Sequence, residues 1–349
     1  DRILTVNHSG LFMQKYLVVL AGTVLLLSSM VFVGGCSCGF DCNNDDNRGT
    51  TTLSLGFSDA LPEDLKQVVI EVDSITLRRN NGDDVVVDSF TIPALGLVSV
   101  DTFQVDLLQY RGRNQLVVIT DLEIESGNYT QVQIRVLGGD VNRSYVQEED
   151  DTLRELAVSG GILTLPGTDF ARSDQAYTVE FSLAQSLRVE SSGVSYLMTA
   201  EGVRLENNAT AASLSGRVDS SLFDSVSPCD EKTDPAQGNR IYLYEGSRTA
   251  SRRLGDVYTC GSSTTVPSDV VPPFAVASLV QNTLTANWEY VFGFLPAGDY
   301  TMAFACNTAA DDPVNYDDLV VPQPINQSYS ITLTEDTASV CDITDSASC

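Results

Sequence analysis

The chain carries eight cysteines and a single histidine, His8, and this inventory bounds the chemistry open to it. His8 lies ahead of the export signal described below. The mature chain therefore has no imidazole for a Ser-His-Asp or Cys-His nucleophile, and none to ligate a metal. Lys66 and Lys232 are the lysines that remain, and neither has a serine three residues before it, so the Ser-x-x-Lys nucleophile pattern is missing. No phosphate-cradling Gly-rich loop occurs, neither the Gly-Lys-Ser/Thr kind nor Gly-x-Gly-x-x-Gly. No Cys-x-x-Cys pair occurs, so structural zinc would need four scattered thiolates and is not expected. Two carboxylates can run glycoside hydrolysis. However, 47 Asp and Glu residues offer too many pairs for any one to carry information. The sequence thus predicts no catalytic residue, no cofactor and no metal site.

Acidic clusters raise the question of calcium. Asn43-Asn44-Asp45-Asp46-Asn47-Arg48-Gly49 has oxygen ligands, but its glycine is the seventh residue rather than the sixth, and no glutamate follows in register. It reads as linker, in which Asn, Asp and Gly favour turns. The runs Glu148-Glu149-Asp150-Asp151, Asp311-Asp312 and Asp317-Asp318 read as solvated loops.

The thiol with the clearest assignment is Cys36. Met13-Gln14-Lys15 precedes residues 16–33, which contain no charge, and Val33-Gly34-Gly35-Cys36 closes the run. A basic start, an apolar stretch and small residues before a cleavage point make an export signal. The cysteine directly after them resembles the bacterial lipoprotein signal, the lipobox. That resemblance implies a diacylglyceryl thioether on Cys36, cleavage before it, and acylation of the new amino terminus. Several acyl chains hold a protein stably on a membrane. The uncleaved-anchor alternative needs the same apolar run to span a bilayer; the small residues before Cys36 favour cleavage. Residues 1–12 read as leader ahead of the start at Met13. Ser37 follows Cys36, and by resemblance to sorting rules in enteric bacteria this implies the outer membrane.

Cleavage leaves residues 36–349. The whole chain has 20 Lys and Arg against 47 Asp and Glu, a net charge of -27. Losing Arg2, Lys15 and Asp1 shifts the balance further to acid. Such a surface excludes sequence-independent nucleic-acid binding, which needs basic residues on phosphates, and docking on anionic lipid through basic side chains. With 43% hydrophobic and 19% charged residues, the composition is that of a globular protein.

The elements that must carry any site are strands. After a tether at 36–50, residues 51–206 alternate with period two. Val132, Ile134 and Val136 fall on one face, with Gln131, Gln133 and Arg135 on the other. Tyr177, Val179, Phe181 and Leu183 do the same. Asn80-Asn81-Gly82-Asp83 marks a hairpin turn. Residues 62–66 and 152–156 are each predicted to hold no more than a helical turn. Leu55-Gly56-Phe57-Ser58-Asp59-Ala60 is followed in order by Val105-Asp106-Leu107-Leu108, Gly127-Asn128-Tyr129-Thr130-Gln131-Val132 and Tyr177-Thr178-Val179-Glu180-Phe181. Together they resemble domain of unknown function 4382, common in bacterial and archaeal lipoproteins. The resemblance implies an exported, membrane-tethered β domain and supplies no catalytic residues.

Asn207 to Ala212 is a small, polar segment and reads as a hinge. The strand pattern restarts at Ser213 and runs to 336, with 337–349 as a C-terminal tail. Leu284, Ala286, Trp288, Tyr290, Phe292 and Phe294 occupy every second position and predict one long strand with a buried face. With the Leu295-Pro296-Ala297-Gly298-Asp299-Tyr300 turn, it resembles the carboxypeptidase-regulatory-like, or prealbumin-like, sandwich. That family implies an inward Tyr300 and a non-catalytic domain. Residues 261–282 read as a long loop. Tyr242, Tyr244, Trp288 and Tyr290 raise a sugar-stacking reading, but their phase with Phe292 and Phe294 assigns Trp288 and Tyr290 to a core.

An exported chain meets an oxidising compartment, so disulfides are expected. The candidates are Cys38 with Cys42, Cys229 with Cys260 and Cys306 with Cys341, leaving Cys349, although connectivity does not follow from sequence. The reading is an all-β protein: two β-sandwiches in series after a lipoprotein signal, attached to the membrane through lipid. Its expected role is non-catalytic, binding or structural, in the cell envelope, with an envelope protein or polysaccharide as partner. The alternatives are a surface carbohydrate-binding or adhesion protein and a carboxylate-based envelope hydrolase.

Overall fold

A computed structural model of the chain describes residues 49–60, 65–224, 227, 229, 237–247, 252–259 and 265–344. The protein is all-β, and these residues belong to one compact unit. Cys36, Cys38, Cys42 and Cys260 lie outside the described residues, as do Cys349 and the linker at 43–48.

In the first half, a four-stranded sheet runs in the order Arg204–Asn207, Gln175–Ser182, Thr50–Ala60, Leu116–Glu125. The two central strands are parallel. Facing it is a larger sheet built around Leu65–Arg79, which pairs with Gly127–Val136 on one side and Tyr145–Glu148 on the other. Leu53, Leu55 and Phe57 from one sheet meet Val68, Ile70 and Val72 from the other in a single core. A bulge between Val72 and Ser74 then shifts the phase by one residue, so that Ile75 and Leu77 also face inward. A one-residue slip exchanges the two faces of a strand, and here it joins the apolar runs Val68–Val72 and Ile75–Leu77, which read in sequence as separate strands, into one. The expected turn at Asn80–Asp83 returns the chain as Val85–Val87, antiparallel to Ile75–Leu77.

The helical turn expected at 152–156 is absent. Leu153–Val158 is a strand, paired with Tyr145–Glu148 across the acidic turn and with Ser195–Met198 on its other edge. Asp151 takes a positive φ of 70° to close that turn, and sheet pairing outweighs a short stretch's local preference. Lys66, at the end of the other expected turn, is likewise in a strand.

The second half has two four-stranded sheets. One orders Val280–Gln281, Trp288–Leu295, Ala212–Val218, Ala338–Val340; the other orders Ala275–Ser278, Arg240–Glu245, Gly298–Ala305, Ser328–Leu333. Between them lie Leu214, Ile241, Leu243, Phe292, Met302 and Phe304. Three expectations change here. Residues 338–340, assigned to a tail, form an edge strand parallel to Ser213–Ser215, and Cys341 and Ile343 beyond it are buried. Residues 261–282 include the edge strand Ala275–Ser278, which pairs with Arg240–Leu243. The aromatic strand starts only at Trp288. Leu284 is 95% exposed, and Ala286 has a φ of 59° in a turn closed by Asn282. Tyr300 does pack inward, and its hydroxyl donates to the Pro296 carbonyl at 2.9 Å.

The cysteine pairing also differs from expectation. Cys229 is bonded to Cys306, with Cα atoms 5.7 Å apart. Cys341 is disulfide-bonded to a partner outside the described residues. Neither Cys229–Cys260 nor Cys306–Cys341 forms. Cys306 ends the central strand Gly298–Ala305 and points into the same core as Cys229, so the sheet brings the two together across the chain.

Closing a loop of 77 residues should stabilise the fold by about 4 kcal/mol in the chain-entropy account. Replacing both cysteines by alanine is expected to lower the unfolding free energy by that order in denaturant titration. Peptide mapping without reductant should recover positions 229 and 306 in one linked fragment; a 229–260 fragment would restore the sequence-based pairing.

Candidate functional site

The two halves of the compact unit meet on the outer face of the sheet that holds Ala212–Val218 and Trp288–Leu295. Alternation sends Leu214 and Val218, with Tyr290 and Phe292, into the core. It turns Ser215, Arg217, Glu289 and Val291 to the other side, where Ser215 pairs with Val291 and Arg217 with Glu289. The first half covers part of that face. A Cβ on Gly293 would lie 2.1 Å from the Gly112 carbonyl oxygen, so only glycine allows this backbone-to-backbone approach. Gly112 itself, at a φ of 61°, rests against Val291. Gln185 Nε2 donates to the Pro273 carbonyl at 3.1 Å, and the Arg204 guanidinium sits 4.7 Å from the centre of the Phe274 ring.

Beside the glycine contact, the face is left open as a cleft of about 380 Å³. Asp59 and Arg111 form its first-half wall, and Arg217, Ser278, Glu289 and Asp342 its second-half wall. Ala277, Val280, Val291 and Val340 supply an apolar lining. Asp59, 1% exposed, ends the Thr50–Ala60 strand, and its N–H donates to the Tyr110 carbonyl at 2.8 Å. Arg111 Nε donates to the Leu108 carbonyl at 2.8 Å. Crowding around Arg111 lowers its affinity for the proton from the ordinary arginine value, while Asp59 and Asp106 raise it. Asn282 Nδ2 donates to both Glu289 oxygens, at 3.3 and 3.2 Å. The Arg217 N–H donates to Asp342 Oδ1 at 2.9 Å. The inner side of this sheet is pinned by Tyr290, whose hydroxyl donates to the Cys341 carbonyl at 2.7 Å.

Residues 50–199 match the family model described as a domain of unknown function, DUF4382. The resemblance drawn from residues 55–60 and the later segments is borne out over that range. The DUF4382 region supplies Asp59 and Arg111, while the other side of the cleft lies beyond it. No curated protein matches the chain. Among solved structures, a leucine-rich repeat protein from Bacteroides thetaiotaomicron is 10% identical, with 87% of this chain and 27% of that one aligned at a TM-score of 0.21. The Bacillus anthracis TIE protein is 9% identical, with 85% and 34% aligned at a TM-score of 0.18. The minor pilin GBS52 of Streptococcus agalactiae is 10% identical, with 84% and 95% aligned at 0.17. This chain thus spans about a third or less of the first two.

The aromatic residues that raised a sugar-binding reading are mostly inside. Tyr242, Tyr244 and Tyr290 are at most 3% exposed, and Trp288 is half-buried against Phe223. Ile241 and Leu243 face the main core, so Tyr242 and Tyr244 fall on the opposite face, under the 252–259 loop. There Asp311 is a hub rather than part of a solvated run. Its Oδ2 accepts from Arg240 at 3.0 Å and from the Tyr242 hydroxyl at 2.6 Å, and its Oδ1 accepts from the Val257 N–H at 3.1 Å. Asp256 accepts from the N–H groups of Asp317 and Leu319 at 3.1 and 2.8 Å. Burial first, then the nearby Asp311 and Asp317 charges, push the Asp256 carboxyl up to about 6. These carboxylates hold loops in place. The Glu148–Asp151 run is likewise engaged: Glu148 pairs with Arg154, Asp151 with Lys66, and Asp150 accepts from the Thr152 N–H. Among the described residues, no group of three Cys, His, Asp or Glu residues is placed to hold a metal ion.

Glu180 is the other buried acid, at 1% exposure in the centre of the first sheet. Register places it between Ser58 and Arg204. Burial pushes its carboxyl up to about 8, against the opposing pull of Arg204 and the Ser58 hydroxyl. Sequence reasoning named Glu180 and Asp59 only as parts of the family-like motifs and gave no role to them or to the other cleft residues. Arg217 and Glu289 are ordinary outward positions of alternating strands, and only the arrival of the first half makes them walls.

A folded-state value near 8 against an ordinary 4.5 means that the native protein holds this proton more tightly than the unfolded chain. The resulting stabilisation is complete below about pH 4.5 and lost as the pH climbs to about 8. Glu180→Gln keeps the neutral shape at every pH. Thermal unfolding is therefore expected to show little difference between variant and parent at pH 5 and a variant several degrees more stable at pH 8. An equal difference at both values would mean that Glu180 is not a neutral acid in the native state.

Proposed function

We propose that this chain is a bacterial envelope lipoprotein with a non-catalytic, binding or structural role, lipidated on Cys36 and anchored in the outer membrane. In this reading residues 51–206 and 213–343, the second extended past the expected end at 336 by its edge strand at 338–340, are two sandwiches in series, held off the membrane by the short tether at 36–50. The observation that carries it is the export signal ending Val33-Gly34-Gly35-Cys36 on a chain that folds around a buried Cys229–Cys306 disulfide. A disulfide of this kind persists in oxidising compartments and not in a reducing cytosol, so the signal and the core point to the same address. Ser37 in place of an aspartate supports the outer over the inner membrane. The binding role rests on the cleft between the halves, because concave sites at such junctions are where ligands are commonly held. Burial of Tyr242, Tyr244 and Tyr290 removes the ring platform on which a carbohydrate-binding reading stood.

Replacing Cys36 with serine removes the sulfur that the thioether needs. Labelled palmitate is expected to enter the parent protein and not the Cys36→Ser variant, which should accumulate as unprocessed precursor. Label in the variant would overturn the lipoprotein assignment.

A further inference from the structure

Donors and acceptors in the cleft are not matched. Its carboxylates already have partners: Glu289 accepts from Asn282 through both oxygens, Asp342 accepts from the Arg217 N–H, and Asp59 lies in the field of Arg111. Its cations do not. Among the described residues, Arg217 is bonded through its backbone N–H, to Asp342, and not through its guanidinium, and Arg111 gives away only its Nε, to the Leu108 carbonyl. Ser278, 4% exposed, lines the same cleft with a hydroxyl that has no partner. In a chain with 47 acidic residues and 20 basic ones, two guanidinium forks that keep unbonded N–H groups in one cleft, with Asp59 and Glu289 beside them, are a surplus of hydrogen-bond donors.

We propose that this cleft binds a small amphiphilic carboxylate, with its head on Arg111, Arg217 and Ser278 and its apolar body over Val280, Val291 and Val340. The guanidinium fork matches a carboxylate in geometry and forms charge-assisted bonds about twice as strong as neutral ones. The head alone does not suffice. Asp59, Glu289 and Asp342 offset the attraction of the two arginines at longer range, so a bare anion gains little. The valine floor supplies the remainder, at roughly 0.8 kcal/mol per buried methylene. The same acids set the register of the head, because a carboxylate is repelled from every position except between the forks.

This inference deepens the binding reading given above and is independent of the lipid anchor. Failure here would leave Cys36 labelling intact, and loss of labelling would leave the cleft measurable. The test is isothermal titration calorimetry on the purified full chain, each titration corrected against a protein-free blank in the same detergent. The probes are hexanoate, acetate and hexylamine. Hexanoate is expected to bind, with acetate at least about tenfold weaker and hexylamine without measurable heat. Arg217→Gln and Arg111→Gln should each weaken hexanoate by about tenfold or more, the loss expected for one charged hydrogen bond. Ser278→Ala should weaken it less, and Arg188→Gln, on a strand away from the cleft, should leave it unchanged. The thermal midpoint of each variant shows that it has folded. Equal affinity for hexanoate and hexylamine, hexanoate no tighter than acetate, or full affinity in folded Arg217→Gln would each overturn the proposal.

Discussion

The Gly112 carbonyl occupies the place where any side chain at position 293 would have to be. That single close approach is the constraint on which the rest of the arrangement depends. A sheet needs one face buried against a core; the sheet of Ala212–Val218 and Trp288–Leu295 has its core on the Tyr290 and Phe292 side. Its other face carries Ser215, Arg217, Glu289 and Val291 in adjacent pairs, too polar to form a second core and too apolar at Val291 to be left wholly wet. The glycine pair lets the first half seat on the Val291 end of that face and no further. What remains uncovered, beside Arg217 and Glu289, is the cleft.

The polar groups inside the second half follow a different logic. Arg240–Glu245 is covered on both faces, so its tyrosines cannot face water. Each buried hydroxyl needs a partner, because an unpaired polar group in a low-dielectric interior is costly. The Tyr242 hydroxyl finds Asp311, and the Tyr244 hydroxyl finds the Gly255 carbonyl. Asp311 in turn is neutralised by Arg240 and tied to the Val257 N–H. Two aromatic residues on the wrong face for the main core thereby become the reason that the 252–259 and 311–319 loops have fixed positions. Acidic residues that look like solvent-facing runs are the fastenings.

Much of the architecture is legible in the order of residues. Period-two alternation in 129–136, 177–181 and 288–292 marks strands, because successive side chains on an extended backbone point to opposite faces wherever the strand lies; Leu183, in phase with the second run, opens a short helix instead. Asn80–Asp83 forms the turn that its residue types require. The short motifs from Leu55 to Phe181 identify the DUF4382 region. Alternation misled at Leu284 and Ala286, where an Asn282-closed turn interrupts the backbone without breaking the pattern of residue types. It divided Leu65–Arg79 into two runs, Val68–Val72 and Ile75–Leu77, where a bulge reverses the phase within one strand.

The sequence by itself determined the all-β character and the sense of the net charge, and it is the whole basis for the export signal proposed before Cys36. These are local or additive properties, readable without knowing which segments meet. Tertiary structure alone decided that Cys229 bonds Cys306 rather than Cys260, that residues 338–340 complete a sheet, and that Glu180 and Asp311 are buried. It also decided that Asp59 and Arg111 face Arg217 and Glu289 across one cleft. Each of these depends on sheet order and on the contact at Gly112 and Gly293. Sheet order is set by which distant strands together bury the most apolar surface, and alternation within any one strand carries no record of that choice.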